Sequence, residues 1–202
     1  MPAIAPRDTR KAPAQRIIGV DPGTLVTGWG AIEARGSSVT HLGHGTIATA
    51  GANSQADRLR LIYRGLEEAI QSFQPEGLSL ERVFFARNAQ SALKLGQARG
   101  VALLAAAHGS LTIYEYAASE IKLAVVGYGY ASKAQVQLMV ASLLRIRERI
   151  APDAADALAA AICHVHCHSF KAMVARAVPE WKPTIRRRRI SFAAFKRLIR
   201  QS

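Results

Sequence analysis

The order of strand-like and helix-like segments limits the possible folds of this chain more than any other sequence feature. Three strand-like segments, residues 16–21, 28–34 and 39–48, follow one another without a helix between them. Pro22-Gly23 turns the chain after the first segment, and a Gly-Ser-Ser run turns it after the second. Consecutive strands with short connections pair antiparallel. The first half of the sheet is therefore predicted to be a three-stranded antiparallel meander.

Helical patterns then alternate with short strands. The predicted segments are a helix from Asn53 or Ser54 to Phe73, a strand over 78–84, a helix over 88–108, a strand over 111–116, a loop with Gly127 and Gly129, and helices over 132–147 and 152–170. The order β-β-β-α-β-α-β-α-α indicates one α/β domain, in which helices flank a mixed five-stranded sheet. A chain of 202 residues can hold one such domain with tails.

Positive charge is concentrated near the C-terminus. Residues 171–202 contain ten Lys or Arg and one Glu, within a chain whose net charge is +13. A basic segment of this kind favours a polyanionic partner, most commonly nucleic acid. We predict a disordered N-terminal arm over 1–15, a globular domain over 16–172 and a basic extension over 173–202. The extension is interpreted as an arm with non-specific affinity for DNA, and docking on a partner or a membrane surface stays open.

Cysteine content and hydropathy bear on the compartment. Cys163 and Cys167 stand four residues apart in a helical pattern, which is poor disulfide geometry and favours a reducing, cytoplasmic setting. Three histidines alternate with them, but one helix rarely supplies a closed zinc site, so helix packing is expected. No apolar run reaches the roughly 18 residues of a membrane span. Residues 1–15 lack a signal-peptide core, and a transit peptide stays open.

Four carboxylates stand where a solvated surface explains them poorly. Asp21 ends an apolar strand, and Glu81 lies in another. Asp153 and Asp156 open an alanine-rich helix three residues apart, so they share one face. A carboxylate in apolar surroundings is costly unless it is paired, hydrogen-bonded or metal-bound. Oxygen ligands suit Mg²⁺, and two such ions can assist phosphodiester hydrolysis, so these residues are predicted metal ligands.

Each carboxylate also has a structural explanation. Asp153 and Asp156 could be a charge pair favoured by the helix dipole. Asp21, before Pro-Gly, could be a turn-forming aspartate. Glu81 could pair with a neighbouring arginine. The order and spacing of all four favour the metal site over these separate explanations.

Four stretches of the chain form a distinctive set of motifs. They are IIGVDPGTLVTGWG from Ile17, ERVFFARNAQSALKLGQARG from Glu81, EYAASEIKLAVVGYGYASKAQVQ from Glu115 and PDAADALAAAICHVHCH from Pro152. Together they resemble the RuvC family of bacterial Holliday-junction resolvases. The resemblance covers residues 16–170 and is most distinctive over 89–100. It implies an RNase H-like fold and a cytoplasmic enzyme of homologous recombination and DNA repair.

The resemblance also implies an activity and partners. A homodimer would make paired, symmetric, Mg²⁺-dependent nicks in four-way DNA junctions, leaving 5′-phosphate and 3′-hydroxyl ends. Two Mg²⁺ ions per active site are expected in the reacting complex, with Mn²⁺ able to substitute. A branch-migration motor of the RuvA/RuvB type is the implied protein partner. The helix with Gly96, Ala98 and Gly100 is the candidate dimer interface, and its alternative role is close packing on its own sheet.

Individual site residues follow from the same resemblance. The four acidic residues match the metal-binding carboxylates of the family. Lys122 and Lys133 match lysines assigned to catalysis or DNA backbone contact. Phe84 matches an aromatic residue proposed to stack on an unpaired base, although a core aromatic is its alternative. Arg87 is assigned to DNA binding with it.

Three other functions compete with this interpretation. The DPGT turn also resembles the phosphate loop of actin-like ATPases and sugar kinases, but those proteins need two such lobes and a longer chain. A non-catalytic junction-binding protein would tolerate loss of the carboxylates, and all four are present. An RNase H-like nuclease acting on RNA–DNA hybrids is chemically nearest and stays open from the residues alone.

Overall fold

The computed structural model describes residues 13–82 and 89–177, with side chains up to residue 170. The strands are β1 (Ala14–Asp21), β2 (Val26–Arg35), β3 (Ser38–Ala48), β4 (Gly77–Glu81) and β5 (Thr112–Tyr116). The helices are α1 (Gln55–Phe73), α2 (Ala89–His108), α3 (Ala118–Val126), α4 (Lys133–Leu144) and α5 (Pro152–Ala177). The compact unit ends at Phe170.

The five strands form one mixed sheet in the order β3-β2-β1-β4-β5. The meander is confirmed, since β1 pairs antiparallel with β2 and β2 with β3. The pairs β1–β4 and β4–β5 are parallel, and helices make the crossovers between them. A parallel connection needs such a crossover, which explains why the alternation of helices and strands predicted this half of the sheet.

Alternation along the strands divides the core between the two faces of the sheet. On β1, Ile18 and Val20 pack in a cluster with α1 and α2, whereas Ile17 packs in a cluster with α3, α4 and α5. Successive strand side chains point to opposite faces. Odd-numbered positions of β1 therefore face α5, and even-numbered positions face α1 and α2. This parity decides where the strand-end carboxylates point.

Helix α3 was not predicted, since residues 118–126 were assigned to a loop. Ala117 donates its backbone N–H to the Glu120 carboxylate at 2.7 Å, which completes half of a capping box at the helix start. Ile121 and Val125, four residues apart, are buried in the cluster around α5. Gly127 suggested a loop, but it ends the helix as a left-handed cap with φ of 92°.

Several predicted boundaries also shift. Strand β1 begins at Ala14, so the last two residues of the predicted disordered arm belong to the sheet. Helix α4 begins after its Ser132 cap as predicted but ends at Leu144, because Arg145 adopts a left-handed conformation with φ of 56°. Helix α5 continues to Ala177, past the predicted end at residue 170. None of the described helices is both long and apolar enough to cross a membrane.

Candidate active site

Sheet parity places Asp21 and Glu81 on the same face. Val20 pairs with Leu80 in the parallel β1–β4 register, so Asp21 and Glu81 are the next residues on neighbouring strands. Leu80 lies in the cluster under α1 and α2, as Val20 does. The residues that follow them therefore turn toward α5. Adjacent strands lie about 4.8 Å apart, which brings the two carboxylates close together at the carboxyl ends of β1 and β4.

Glycines allow helix α5 to lie directly on this face. Gly19 of β1 and Gly28 of β2 face α5, and a Cβ added to them would lie 1.8 Å from the Ala157 carbonyl oxygen and 2.0 Å from the Asp153 carbonyl oxygen. Side chains at these positions would hold the helix away from the sheet. Ser79 of β4 adds a buried hydrogen bond, because its hydroxyl donates to the Ala160 carbonyl oxygen at 2.7 Å.

The close contact sets the first turns of α5 beside the strand ends. Gly28, which contacts Asp153, is also the β2 partner of Asp21. Asp153 and Asp156 are half-buried, whereas Ala154, Ala155 and Ala157 around them are fully buried. The apolar positions anchor the helix, and the two aspartates share the face that looks toward Asp21. The predicted convergence of four carboxylates is thus explained by strand parity, helix spacing and two glycines.

Electrostatic coupling shows how close the carboxylates are. Burial, followed by the negative charges of Asp156 and Asp153, raises the pKa of Asp21 to about 6. Burial also raises the pKa of Glu81, with Asp156 as the next cause. Repulsion of this size requires short separations, because solvent screens distant charges. At neutral pH the folded chain therefore carries concentrated negative charge that a cation would stabilise.

Two lysines reach the same cluster. Lys133, the first residue of α4, donates from Nζ to Asp156 Oδ2 at 3.0 Å, and this hydrogen bond raises the pKa of Lys133. The Lys133 side chain is 79% exposed, so the pair contributes little to stability and its ammonium group can change partners. Lys122 of α3 lowers the pKa of Glu81 by its charge. Both predicted lysines therefore lie at the carboxylate cluster.

The turn after Asp21 is held by other side chains. The Thr27 hydroxyl, fully buried, donates to the Gly23 carbonyl oxygen at 2.7 Å, and the Gly23 N–H donates back to it at 3.3 Å. The Thr49 hydroxyl donates to the Thr24 carbonyl oxygen at 2.6 Å. Threonines therefore fix the loop after β1, which weakens the alternative in which Asp21 serves to form the turn.

The donor set suits a hard divalent cation. All four carboxylates offer oxygen, the ligand type that Mg²⁺ prefers, and Lys133 offers a positive charge beside them. Within the described residues, no three His, Cys, Asp or Glu side chains already stand in coordinating geometry. By donor type and charge, the residues present fit a hard divalent cation.

Arg99 is a site residue that sequence analysis missed. It lies on α2, donates from Nη1 to the Glu81 backbone carbonyl oxygen at 2.7 Å, and forms an ion pair with Glu115 of β5. These contacts fix the end of β4 and with it the position of the Glu81 carboxylate. The sequence signal that could have identified Arg99 is its place among small residues in LGQARG. A large charged side chain in a closely packed segment needs an acidic or carbonyl partner.

A cleft of about 460 Å³ adjoins Asp153. One wall is the loop after β1 with Leu25, and the other is the start of α2 with Ser91, Lys94 and Leu95. Lys94 was not predicted as a site residue, since its spacing alone does not distinguish it from a surface lysine. The cleft offers a positive charge and apolar surface next to the carboxylates, as a nucleic-acid strand would need.

Two predicted DNA-binding residues, Phe84 and Arg87, lie outside the described residues.

The histidine-containing part of α5 packs against β5. His164 is buried, its Nδ1 is 2.9 Å from the Tyr116 hydroxyl, and its ring lies 3.9 Å from the Tyr114 ring, centroid to centroid. These contacts agree with the predicted packing role for that part of the helix.

Comparison with known proteins gives a consistent result. Residues 17–164 match the family model for crossover junction endodeoxyribonuclease RuvC. The chain is 54% identical over 152 residues to the protein of that name from Syntrophotalea carbinolica, covering 75% of this chain and 94% of the relative. It is 47% identical over 159 residues to the Geobacter sulfurreducens protein, covering 79% and 97%.

Solved structures agree with the sequence matches. Thermus thermophilus RuvC in complex with a Holliday junction substrate superposes with a TM-score of 0.73 at 30% identity, covering 78% of this chain and 96% of that one. The yeast mitochondrial Holliday junction resolvase superposes with a TM-score of 0.58 at 10% identity, covering 83% and 84%, which shows likeness of fold alone.

Proposed function

Because the chain belongs to the RuvC family of crossover junction endodeoxyribonucleases, we propose that its four carboxylates hold Mg²⁺ for the hydrolysis of phosphodiester bonds in four-way DNA junctions. The observation that carries this proposal is the convergence of Asp21, Glu81, Asp153 and Asp156 from three elements on one face of the sheet, with raised pKa values for the first two. The fold is RNase H-like, and the chain is a nuclease.

The carboxylates and the lysines would have different roles in the reaction. Asp21 and Glu81 would hold the cation on the sheet side, and Asp153 and Asp156 would hold it on the helix side. Mg²⁺ held there, as two ions in the reacting complex and with Mn²⁺ able to substitute, would supply activation of water and would offset charge on the phosphate. Lys133 would exchange its contact with Asp156 for a phosphate oxygen, while Lys122 adds charge beside Glu81. The products would carry 5′-phosphate and 3′-hydroxyl ends.

Metal dependence tests this assignment. A synthetic four-way junction should be cleaved with Mg²⁺ or Mn²⁺ and left intact in EDTA. Changing Glu81, Asp153 or Asp156 to its amide should remove cleavage while junction binding persists. Glu68→Gln on α1, an exposed carboxylate away from the site, is the matched control and should cut as the parent does. Full cleavage by an amide variant would remove that residue from the metal site.

Arg99→Ala is predicted to lower kcat by roughly tenfold to a hundredfold, because Glu81 loses the contact that fixes its backbone. Arg99→Lys should retain a positive charge and recover part of the rate. Junction affinity, measured by titration without divalent cation, should change little. Arg60→Ala, which removes an exposed ion pair with Asp57 on α1, is the control. A normal kcat in Arg99→Ala would show that Glu81 needs no such support.

A homodimer would explain paired nicking. A four-way junction is close to two-fold symmetric, so a C2 dimer presents one active site to each of two opposing strands. On α2, Ala98 is buried against its own sheet, which supports the alternative of close packing for that residue. Gly96 and Gly100 instead face open space, between the exposed Leu93 and Leu104. We assign this stripe to the dimer interface, where the glycines allow a partner helix to approach.

The interface assignment predicts an effect of Leu93→Glu. Burying the new charge would cost free energy, so the variant should sediment as a monomer at concentrations where the parent is a dimer. It should also lose simultaneous nicking of both strands. Leu138→Glu on α4, where the leucine is 72% exposed, is a matched control and should leave the dimer intact. A dimeric Leu93→Glu variant would place the interface elsewhere.

Cellular context is proposed from family membership. The chain would act in the cytoplasm during homologous recombination and DNA repair, beside a branch-migration motor of the RuvA/RuvB type. The basic extension over 173–202, mostly outside the described residues, would add non-specific DNA affinity. Removing residues 179–202 should weaken junction binding and reduce its salt dependence. An unchanged salt slope would mean that this segment makes no phosphate contacts.

A further inference from the structure

Tyr130 is the most exposed large hydrophobic side chain among the described residues. It is 99% accessible to solvent, and Tyr128 beside it is 45% accessible. Both lie in the loop between α3 and α4, where they alternate with Gly127 and Gly129. An aromatic side chain held fully in water lacks the burial that normally stabilises a large apolar group. A binding role is one reason for such a residue to remain exposed.

The loop itself is anchored at both ends. Val125, in the last turn of α3, is 5% exposed, and Ala131, directly after Tyr130, is 1% exposed. Ser132 then caps α4, since its hydroxyl accepts the Gln135 N–H at 3.3 Å and its own N–H donates to the Gln135 side chain at 2.8 Å. Tyr130 is therefore held outward by a loop whose neighbours are fixed in the core.

The loop is bracketed by the two lysines of the active site. Lys122 acts on Glu81 from α3, and Lys133 contacts Asp156 from the start of α4. Tyr130 is three residues before Lys133, so their Cα atoms are at most about 10 Å apart. The Tyr130 side chain extends the reach of the loop beyond its Cα atom. The ring can thus reach nucleotides next to a phosphate that Lys133 contacts.

We propose that Tyr130 stacks on a nucleobase within a few nucleotides of the scissile phosphate and so helps to select the site of cleavage. Lysines beside the loop neutralise the backbone of the strand, and a neighbouring aromatic face binds a base that the crossover leaves unstacked. The substrate class is single-stranded or unstacked DNA at the junction centre, and the proposal rests on the proposed function. Tyr130 is a binding residue in this scheme, separate from the carboxylates that hold the cation.

A double-substitution experiment tests the contact. Tyr130→Ala, Tyr130→Phe and the parent are each titrated, without divalent cation, against a junction and against the same junction with one abasic nucleotide at each position around the scissile phosphate. Tyr130→Ala should weaken binding by roughly tenfold to a hundredfold, and Tyr130→Phe should bind as the parent does. At one position the abasic nucleotide should weaken junction binding by the parent and leave junction binding by Tyr130→Ala unchanged.

Additive effects at every position, or parental affinity in Tyr130→Ala, would overturn the stacking contact. Leu138→Ala, which removes another exposed apolar side chain from α4, is the control and should bind normally. Cleavage by the parent separates this outcome from failure of the proposed function. If the parent does not cut junctions, the proposed function fails; if it cuts and Tyr130→Ala cuts and binds equally well, the inference about Tyr130 fails.

Discussion

Asp21→Asn is expected to slow junction cleavage strongly and, in the absence of divalent cation at neutral pH, to stabilise the fold. Asp21 is half-buried at the end of β1, and an amide in its place would hold a cation weakly. We expect the cleavage rate to fall by roughly a hundredfold to a thousandfold. Junction binding should remain, because removing a negative charge does not weaken contacts with phosphate.

The gain in stability follows from the direction of the pKa shift. Burial, Asp156 and Asp153 raise the pKa of Asp21 from an ordinary 3.8 to about 6. Between these values the folded chain binds a proton that the unfolded chain does not, so the free energy of unfolding decreases as pH rises from 4 to 6. Allowing for solvent screening, the loss is on the order of 1–2 kcal/mol. Asparagine carries no charge, so the Asp21→Asn variant avoids this loss of stability.

Thermal unfolding in EDTA measures this effect. At pH 7.5 the Asp21→Asn variant should unfold about 2–6 °C above the parent, and at pH 4 the two should unfold together. Adding Mg²⁺ should raise the parent's Tm and leave that of the variant nearly unchanged, because only the parent binds the ion well. A variant that is less stable than the parent at pH 7.5 in EDTA would contradict the burial of a repelled carboxylate.

Cleavage should also depend on pH through Asp21. Below about pH 6 the Asp21 carboxyl becomes protonated in the metal-free protein, and protons compete with the cation. The Mg²⁺ concentration needed for half-maximal cleavage should therefore increase as pH falls from 7 to 5. Saturating Mg²⁺ should shift the acidic limit of activity to lower pH. An Mg²⁺ requirement that is constant over this range would be the contrary result.

Gly28→Val is expected to disrupt the site through the backbone. A Cβ at Gly28 would lie 2.0 Å from the Asp153 carbonyl oxygen and 2.2 Å from its carbonyl carbon, so the first turn of α5 must move. Overpacking of this kind costs about 1–3 kcal/mol or more. The same movement carries Asp153 and Asp156 away from Asp21. Both stability and cleavage should therefore fall, although no carboxylate is changed.

The matched control is Gly129→Ala, because a Cβ there meets the Ser119 Cβ at 3.8 Å, an ordinary contact. Its free energy of unfolding should stay within about 0.5 kcal/mol of the parent. Denaturant unfolding of both variants compares the two glycines, and junction cleavage is measured for Gly28→Val and the parent. If Gly28→Val folds and cuts normally, close contact between α5 and the sheet does not position the carboxylates.

The sheet and the positions of the carboxylates on their strands and helix could be predicted because both depend on local patterns. Turn residues and strand alternation gave the meander, and an acidic residue at an apolar strand end marked Asp21. Spacing of three residues correctly placed Asp153 and Asp156 on one helix face. These features depend only on residues that are close together in the sequence, so they can be recognised without knowing the fold.

Features that depend on tertiary packing were missed. Helix α3 is short, and the burial of Ile121 and Val125 stabilises it more than its propensity does. The support of Glu81 by Arg99 joins residues on different elements. The role of Gly19 and Gly28 as contact points for α5 required knowing which strand face the helix covers. Gly96, Ala98 and Gly100 were all assigned to the dimer interface. Gly96 and Gly100 do share one open side of α2, but Ala98 lies on the opposite, buried side.

Mapping of cleavage products tests the central claim most directly. A four-way junction, a linear duplex and an RNA–DNA hybrid of matched sequence are incubated together with the protein and Mg²⁺. We predict paired, symmetric nicks in two opposing strands of the junction alone, with ends that a DNA ligase seals. Equal cutting of the duplex or the hybrid, or nicking of the junction in EDTA, would contradict a junction-selective nuclease whose four carboxylates hold the metal.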